Sequence, residues 1–433
     1  MRNEQKKYYI ATFGCQMNVH DSEKMAGILN SNDYKEVSSA QDADVVIFNT
    51  CSIREKAEHK FFSELGRIKM LKKKKPGLKI AVAGCIAQQH GKKLLKRASF
   101  VDCVIGPQNI HQIFDTLQHA DRSAVTSGGN ETIAETEMPV FRKTDISALV
   151  NIMYGCNNFC SYCIVPHTRG REQSRASQSI INEIRSLAEK GYKEVTLLGQ
   201  NVNSYASDLD FPELLAKINE IEGILRIRFV TSNPKDLSEK LIEVMRDSEK
   251  ICEHLHLPLQ SGSTKILSMM NRKYSYEKYF QKVELLRKMI PDIAITTDII
   301  AGFPQETDDD HALTMNSLRE LSFDGIYAFK FSPRKGTSAA LMDGQVDQTV
   351  RAERLQEILD IQNDITELKN KKLEGTTQEI LIDGIDEKDS GLYTGRTRTN
   401  KIITVPKNDN IRKGLLLNVL INQANRHSLN TIL

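Results

Sequence analysis

Apolar residues along this chain gather into short unbroken runs rather than an alternating pattern. In the first 120 positions, runs at 8–13, 45–48, 79–83 and 100–105 are separated by helix-length segments. Strands covered on both faces read this way, so the runs predict a parallel α/β sheet. Helices are expected over 21–30, with Asp21 or Ser22 as N-cap, and over 54–73. From 123 to 136 the chain is rich in Ser, Thr, Gly and Glu, so 123–141 reads as a linker after an N-terminal domain at 1–122.

Beyond the linker the α/β alternation resumes. Strands are expected at 149–154, 194–198, 226–230, 254–259, 293–300 and 325–331. Six strands, each leading into a helix or a loop before one, predict a complete or partial β/α barrel over 142–373. The segment 348–372 places Leu355, Ile358, Leu359, Ile361, Ile365 and Leu368 on a helical period, so it packs on that barrel. Runs at 378–382, 391–393, 401–405 and 415–421 then predict a small all-β domain over 374–433.

A length of 433 residues agrees with three domains at about 100 to 200 residues each. With 40% hydrophobic and 27% charged residues the composition is globular. No apolar stretch approaches the roughly 20 residues of a spanning helix, and no export signal is read at the start, so a cytoplasmic protein is expected. A net charge of +3 does not by itself imply a polyanion partner.

The eight cysteines change the picture. Thiols are kept reduced in the cytosol, which favours metal binding or catalysis over disulfides. Cys156-Asn-Asn-Phe-Cys160-Ser-Tyr-Cys163 places three of them in one loop after the first barrel strand, where β/α barrels carry their chemistry. Three thiolates without a paired fourth ligand suit a [4Fe-4S] cluster with one iron open to a non-protein ligand. Zinc completed by His167 is the alternative. Cys15, Cys51 and Cys85 each follow one of the first three strands. Those ends share one edge of a parallel sheet, so three distant cysteines can converge on a second open triad; the alternative is three small core residues. Cys103 and Cys252 read as buried structural thiols.

At this point the chain resembles the radical S-adenosylmethionine methylthiotransferases. The resemblance rests on Thr12-Phe-Gly-Cys-Gln-Met-Asn-Val19, Asn49-Thr-Cys-Ser-Ile-Arg-Glu55, Gly155 to Cys163 with Ile164-Val-Pro, Arg169-Gly-Arg-Glu172, Gly199-Gln-Asn-Val202, Leu257-Pro-Leu-Gln-Ser-Gly-Ser263, Met270-Asn-Arg272, Thr297-Asp-Ile-Ile-Ala-Gly-Phe-Pro304 and Ser332-Pro-Arg334. Phe13-Gly-Cys-Gln-Met-Asn18 with Cys51-Ser-Ile-Arg-Glu55 resembles the branch acting on isopentenyladenosine. Asn233, His167 and Lys335 stand where the pattern has histidine, tyrosine and proline.

The resemblance implies methylthiolation of carbon 2 of N6-isopentenyladenosine at position 37 of tRNA, with two [4Fe-4S] clusters and S-adenosylmethionine. Cys156, Cys160 and Cys163 would hold the radical-generating cluster, and Cys15, Cys51 and Cys85 the sulfur-donating one. Gln200, Asn201, Gln260, Ser261, Asp298 and Gly302, at barrel strand ends, become candidate S-adenosylmethionine contacts. The C-terminal domain resembles the TRAM module, an OB-like RNA-binding β-barrel, with Arg396, Arg398 and Lys401 as candidate phosphate contacts. A second basic run, Lys72-Lys-Lys-Lys75, is a further RNA candidate.

The partners implied are tRNA carrying N6-isopentenyladenosine, an electron donor of flavodoxin or ferredoxin type, and proteins that assemble clusters or replenish sulfur. A monomer is expected, with no membrane partner. The alternatives are the same chemistry on threonylcarbamoyl-adenosine or a ribosomal-protein aspartate, or a non-catalytic metal-containing RNA-binding protein.

Overall fold

The computed structural model describes residues 5–52, 55–118, 123–125 and 137–431. The N-terminal runs form a six-stranded, all-parallel sheet. Its strands are β1 (Lys7–Phe13), β2 (Lys35–Glu36), β3 (Val45–Thr50), β4 (Lys79–Gly84), β5 (Cys103–Ile105) and β6 (Ser123–Val125), in the order β2-β1-β3-β4-β5-β6. Every residue of β3 is buried, which is why no polar alternation marks it.

Two expectations are corrected here. The first helix spans Gln16–Asn30 and is capped by Cys15, so Asp21 and Ser22 lie inside it, both buried. The stretch read as a linker from 123 opens with a strand: Ser123–Val125 pairs in parallel with β5. Its later part, 137–141, runs along the first helix, where the Phe141 amide donates to the Glu23 carbonyl at 2.9 Å. A Cβ on Gly27 would lie 2.2 Å from the Pro139 carbonyl oxygen, so glycine allows that close approach.

The central strands are β7 (Ser147–Asn151), a short antiparallel pair β8 (Met153–Tyr154) and β9 (Gln173–Ser174), then β10 (Glu194–Leu198), β11 (Arg226–Phe229), β12 (His254–His256), β13 (Ala294–Ala301) and β14 (Gly325–Lys330). They form parallel sheets β11-β10-β7 and β12-β13-β14, joined by a parallel bridge between Ile227 and Ile251. This is a partial six-stranded β/α barrel. Val195, Leu197, Ile227, Phe229, Leu255, Ile295 and Ile299 pack outward against the helices. Strand alternation turns the intervening Glu194, Arg226, Arg228, His254, His256, Thr296 and Asp298 into the lumen.

The C-terminal runs close a barrel of β15 (Thr377–Ile385), β16 (Leu392–Thr397), β17 (Ile402–Pro406), β18 (Leu416–Ala424) and β19 (Leu429–Thr431), in the order β15-β16-β17-β19-β18. The helix Gln348–Lys371 links it to the central barrel. Buried lumen arginines fasten the two together. Arg226 Nη1 donates to the Arg396 carbonyl at 2.6 Å, and Arg228 Nη1 and Nη2 donate to the carbonyls of Arg398 and Thr397 at 2.9 and 2.7 Å. Among the described residues no helix is long and apolar enough to cross a membrane.

Candidate functional site

Cys15, Cys51 and Cys85 stand directly after β1, β3 and β4, adjacent strands whose ends share one sheet edge. Glycine makes room for them: a Cβ on Gly14 would lie 2.7 Å from Cys51 Cβ and 2.3 Å from Asn18 Oδ1. Gly84 has φ +89°, and its Cβ would fall 2.5 Å from both Asn49 Oδ1 and the Thr50 carbonyl. Beneath the thiols lies a buried amide network. Asn18 Nδ2 donates to Asn49 Oδ1 at 3.1 Å and to the Thr50 carbonyl at 3.2 Å, and Asn49 Nδ2 returns a bond to the Asn18 carbonyl at 2.7 Å.

The thiols of this set are unequal. Hydrogen bonding with Cys51 pulls Cys15 down to about 5 against its burial, helped by the charge of Arg169 and the amides of Asn18 and Met17. Burial pushes Cys85 up, opposed by Arg169. Thiolate, the form that ligates iron, is therefore already favoured at one member.

The compact triad sits in the loop after β8. Gly155, at φ +67°, has no space for a side chain, because its Cβ would lie 2.0 Å from the Arg171 carbonyl oxygen. The Cys156 amide donates to the Gly170 carbonyl at 3.2 Å, and the Ser161 amide to the Met270 carbonyl at 3.0 Å. Buried Arg272 donates from Nη1 to Cys160 Sγ at 3.3 Å and from Nε to the Tyr274 hydroxyl at 2.9 Å. Burial raises Cys156 and takes Cys163 to about 12.

One segment joins the two cysteine sets. The helix Val165–Arg169 follows the compact loop and packs against Cys85–His90. From it Arg169 donates to Asp21 Oδ2 at 2.8 Å, both side chains buried, across the boundary between sheet and barrel. Lys24 Nζ to the Tyr154 hydroxyl at 2.6 Å and Arg334 to Glu58 at 3.2 Å hold the same boundary. Arg169 and Arg272 each lie in a quoted motif, yet neither was singled out; a fixed position beside Cys160 or Asp21 was the missing signal.

Both sets fit a polynuclear iron–sulfur group. In each set burial raises at least one thiol, which stays protonated until a cation replaces the proton, and a [4Fe-4S] cluster held by three thiolates supplies that cation with one iron left open. Among the described residues no three His, Cys, Asp or Glu side chains are gathered about a single metal ion, at the cysteine sets or around the exposed His167.

The candidate cofactor contacts divide. Asn201 is buried, held by Nδ2 on Asp236 Oδ2 at 2.7 Å, and its Oδ1 is buried without a partner, a ready acceptor. Gln200 is partly exposed beside it. Gln260 is buried at φ +74°, its backbone bonded to Asp298 and Ile300 of β13. Asp298 Oδ1 lies 3.5 Å from His256 Nε2. Ser261 Oγ meets Thr314 Oγ1 at 3.3 Å and accepts the Ser263 amide, and a Cβ on Gly302 would lie 2.3 Å from Arg351 Cγ.

The candidate RNA contacts divide too. Arg398 is spent on the central barrel, donating from Nε and Nη2 to the Glu253 carboxylate, both at 2.7 Å. Lys401 Nζ likewise reaches Asn370 Oδ1 at 2.8 Å. Arg396 stays half-exposed, 3.7 Å from Asp383. In the basic run Lys72 pairs with Asp102 at 2.5 Å and Lys75 with Asp44 at 2.9 Å.

Family models match three stretches of the chain: the Uncharacterized protein family UPF0004 over residues 7–106, the Radical SAM superfamily over 150–318 and the TRAM domain over 371–432. Among solved structures, the radical S-adenosylmethionine methyltransferase TsrM from Kitasatospora setae, with cobalamin and a [4Fe-4S] cluster bound, superposes with TM-score 0.56 at 14% identity, covering 78% of this chain and 77% of that one. That likeness bears on fold alone. Curated tRNA-2-methylthio-N(6)-dimethylallyladenosine synthases are far more similar in sequence. The protein from Thermodesulfovibrio yellowstonii is 57% identical, covering 97% of each chain. That from Caldicellulosiruptor saccharolyticus is 50% identical over 98% of this chain and 91% of its own. With this identity along the whole length, the chain belongs to the tRNA-2-methylthio-N(6)-dimethylallyladenosine synthase family.

Proposed function

We propose that the protein inserts a methylthio group at carbon 2 of N6-isopentenyladenosine at position 37 of tRNA. The observation that carries this reading is the pair of three-cysteine sets on facing domains, joined by the segment 169–170, in a chain of this family. Carbon 2 bears a non-acidic C–H that no side-chain base can remove, so the chemistry must come from cofactors. Two [4Fe-4S] clusters with S-adenosylmethionine supply it when bound: one-electron activation of the C–H at Cys156, Cys160 and Cys163, and the inserted sulfur at Cys15, Cys51 and Cys85. The chain's own residues bind and orient. Asn201, steadied by Asp236, offers a buried acceptor oxygen for S-adenosylmethionine, with Gln200, Gln260 and Asp298 on neighbouring strand ends.

The boundary between sheet and barrel, closed by the Arg169–Asp21 pair, holds the two sets toward one substrate. Of the candidate phosphate contacts, Arg396 is the half-exposed arginine offered to tRNA phosphate. A flavodoxin- or ferredoxin-type donor supplies electrons, cluster-assembly or sulfur-replenishing proteins restore the sulfur, and the enzyme works in the cytoplasm as a monomer. Its N-terminal unit extends through Val125. The test is mass spectrometry of tRNA nucleosides from cells lacking the protein and from the same cells complemented. Loss of 2-methylthio-N6-isopentenyladenosine with accumulation of its precursor, reversed by complementation, is expected; an unchanged nucleoside overturns the substrate.

A further inference from the structure

We propose that Arg169 is a positioning residue for the cluster of the opposite domain: a barrel side chain that sets the charge around Cys15, Cys51 and Cys85. This rests on the reading that those three cysteines hold a cluster. Arg169 leaves the helix Val165–Arg169 and crosses the domain boundary to Asp21, whose helix begins at the Cys15 cap. The pair is almost fully buried, at 5% and 2% side-chain exposure. A guanidinium keeps its proton at any working pH, so this is a fixed positive charge. The helix that carries it packs against the one Cys85 opens, and its partner Asp21 lies on the helix that Cys15 caps.

The backbone at the same point serves the other cysteine set. The Arg169 carbonyl accepts from Gln108 Nε2 at 3.0 Å, and the next carbonyl, of Gly170, accepts the Cys156 amide at 3.2 Å. Gly170 stands at φ +77°, and its Cβ would lie 2.3 Å from Gln108 Nε2, so the segment is tightly held. Two consecutive residues therefore link both sets: the Arg169 side chain binds Asp21 on the helix capped by Cys15, and the Gly170 carbonyl accepts the Cys156 amide. A buried ion pair is a weak source of stability, since desolvation offsets its attraction. Its use here is placement of charge. Each added electron makes a thiolate-ligated cluster more anionic, and a fixed nearby cation favours that state while Asp21 opposes it.

The experiment is a potentiometric titration of the reconstituted holoprotein, followed by electron paramagnetic resonance, for wild type and for R169Q, R169K and D21N. The expected result is opposite in sign for the two partners. R169Q lowers the potential of the N-terminal cluster, D21N raises it, R169K stays near wild type, and the cluster on Cys156, Cys160 and Cys163 is unmoved throughout. In R169Q the methylthiolated product falls about tenfold, the usual loss for a residue supporting a metal ligand, while 5′-deoxyadenosine formation stays at the wild-type level.

Shifts of the same sign in R169Q and D21N, or no shift with both clusters loaded, overturn the proposal. If R169Q loses iron, D21N against R169K decides: an upward shift in D21N alone supports it, and none refutes it. A reconstituted wild-type protein with only about four irons per chain overturns the underlying two-cluster reading instead.

Discussion

The two cysteine sets reach similar ends by opposite routes. Cys156, Cys160 and Cys163 share one loop, so local backbone places them: Gly155 turns the chain, and Gly170 and Met270 carbonyls pin the amides of Cys156 and Ser161. Cys15, Cys51 and Cys85 come from three strand ends and converge only because β1, β3 and β4 are parallel neighbours. The compact set has two raised thiols, Cys156 and Cys163, and its cation, Arg272, comes from within the same barrel. The dispersed set has one lowered thiol and takes its cation from another domain. A loop can carry a radical-generating site on any barrel, whereas a sulfur donor facing it requires a second domain docked at a fixed place.

The comparison breaks most completely at Cys160. Cys160→Ala is expected to abolish 5′-deoxyadenosine formation and to reduce iron from about eight to about four per chain, with circular dichroism unchanged; full activity would sever the loop from radical chemistry. Next in size, Arg272→Gln removes the donor to Cys160 Sγ. S-adenosylmethionine cleavage should slow by about 10- to 100-fold, with a lower potential for that cluster alone, read by the same titration.

In the metal-free protein the contrast sharpens with pH. Cys15, lowered to about 5, is thiolate across neutral pH, so its alkylation rate should stay flat there and fall only as pH drops through about 5. Cys163, raised to about 12, is a neutral thiol in that range, and its rate should climb with every step toward alkaline pH. Peptide mass spectrometry after brief alkylation measures both. Smallest is Arg398→Ala, which strips the paired bonds to Glu253 and should weaken docking of the C-terminal barrel by about 1–3 kcal/mol. Faster limited proteolysis near the end of the helix Gln348–Lys371 would register it, with the redox behaviour of both clusters unchanged.

Much of this is legible in the sequence. The compact triad is written in spacing. The dispersed one is written in strand ends, because buried parallel strands read as plain apolar runs and each is followed within three residues by its cysteine. The strands β2, β6 and β19, of two or three residues, are too short to leave a pattern. The start of the first helix was misplaced because its cap is a cysteine, outside the usual Ser, Thr, Asp and Asn set. Arg398 and Lys401 read as candidate phosphate contacts, and the fold supplies Glu253 and Asn370 from outside that domain as their partners. Arg169 was invisible for the same reason: its partner lies 148 positions away, in a different domain.

The most direct test of the central claim, that radical generation and sulfur donation are separable and belong to different cysteine sets, is a dual-product assay of Cys51→Ala. The reduced, reconstituted variant is supplied with S-adenosylmethionine and tRNA bearing N6-isopentenyladenosine, and 5′-deoxyadenosine and the methylthiolated nucleoside are quantified together. The account predicts continued 5′-deoxyadenosine with no methylthiolated product. Methylthiolation at the wild-type level, or loss of both products with the cluster at Cys156, Cys160 and Cys163 intact, would contradict it.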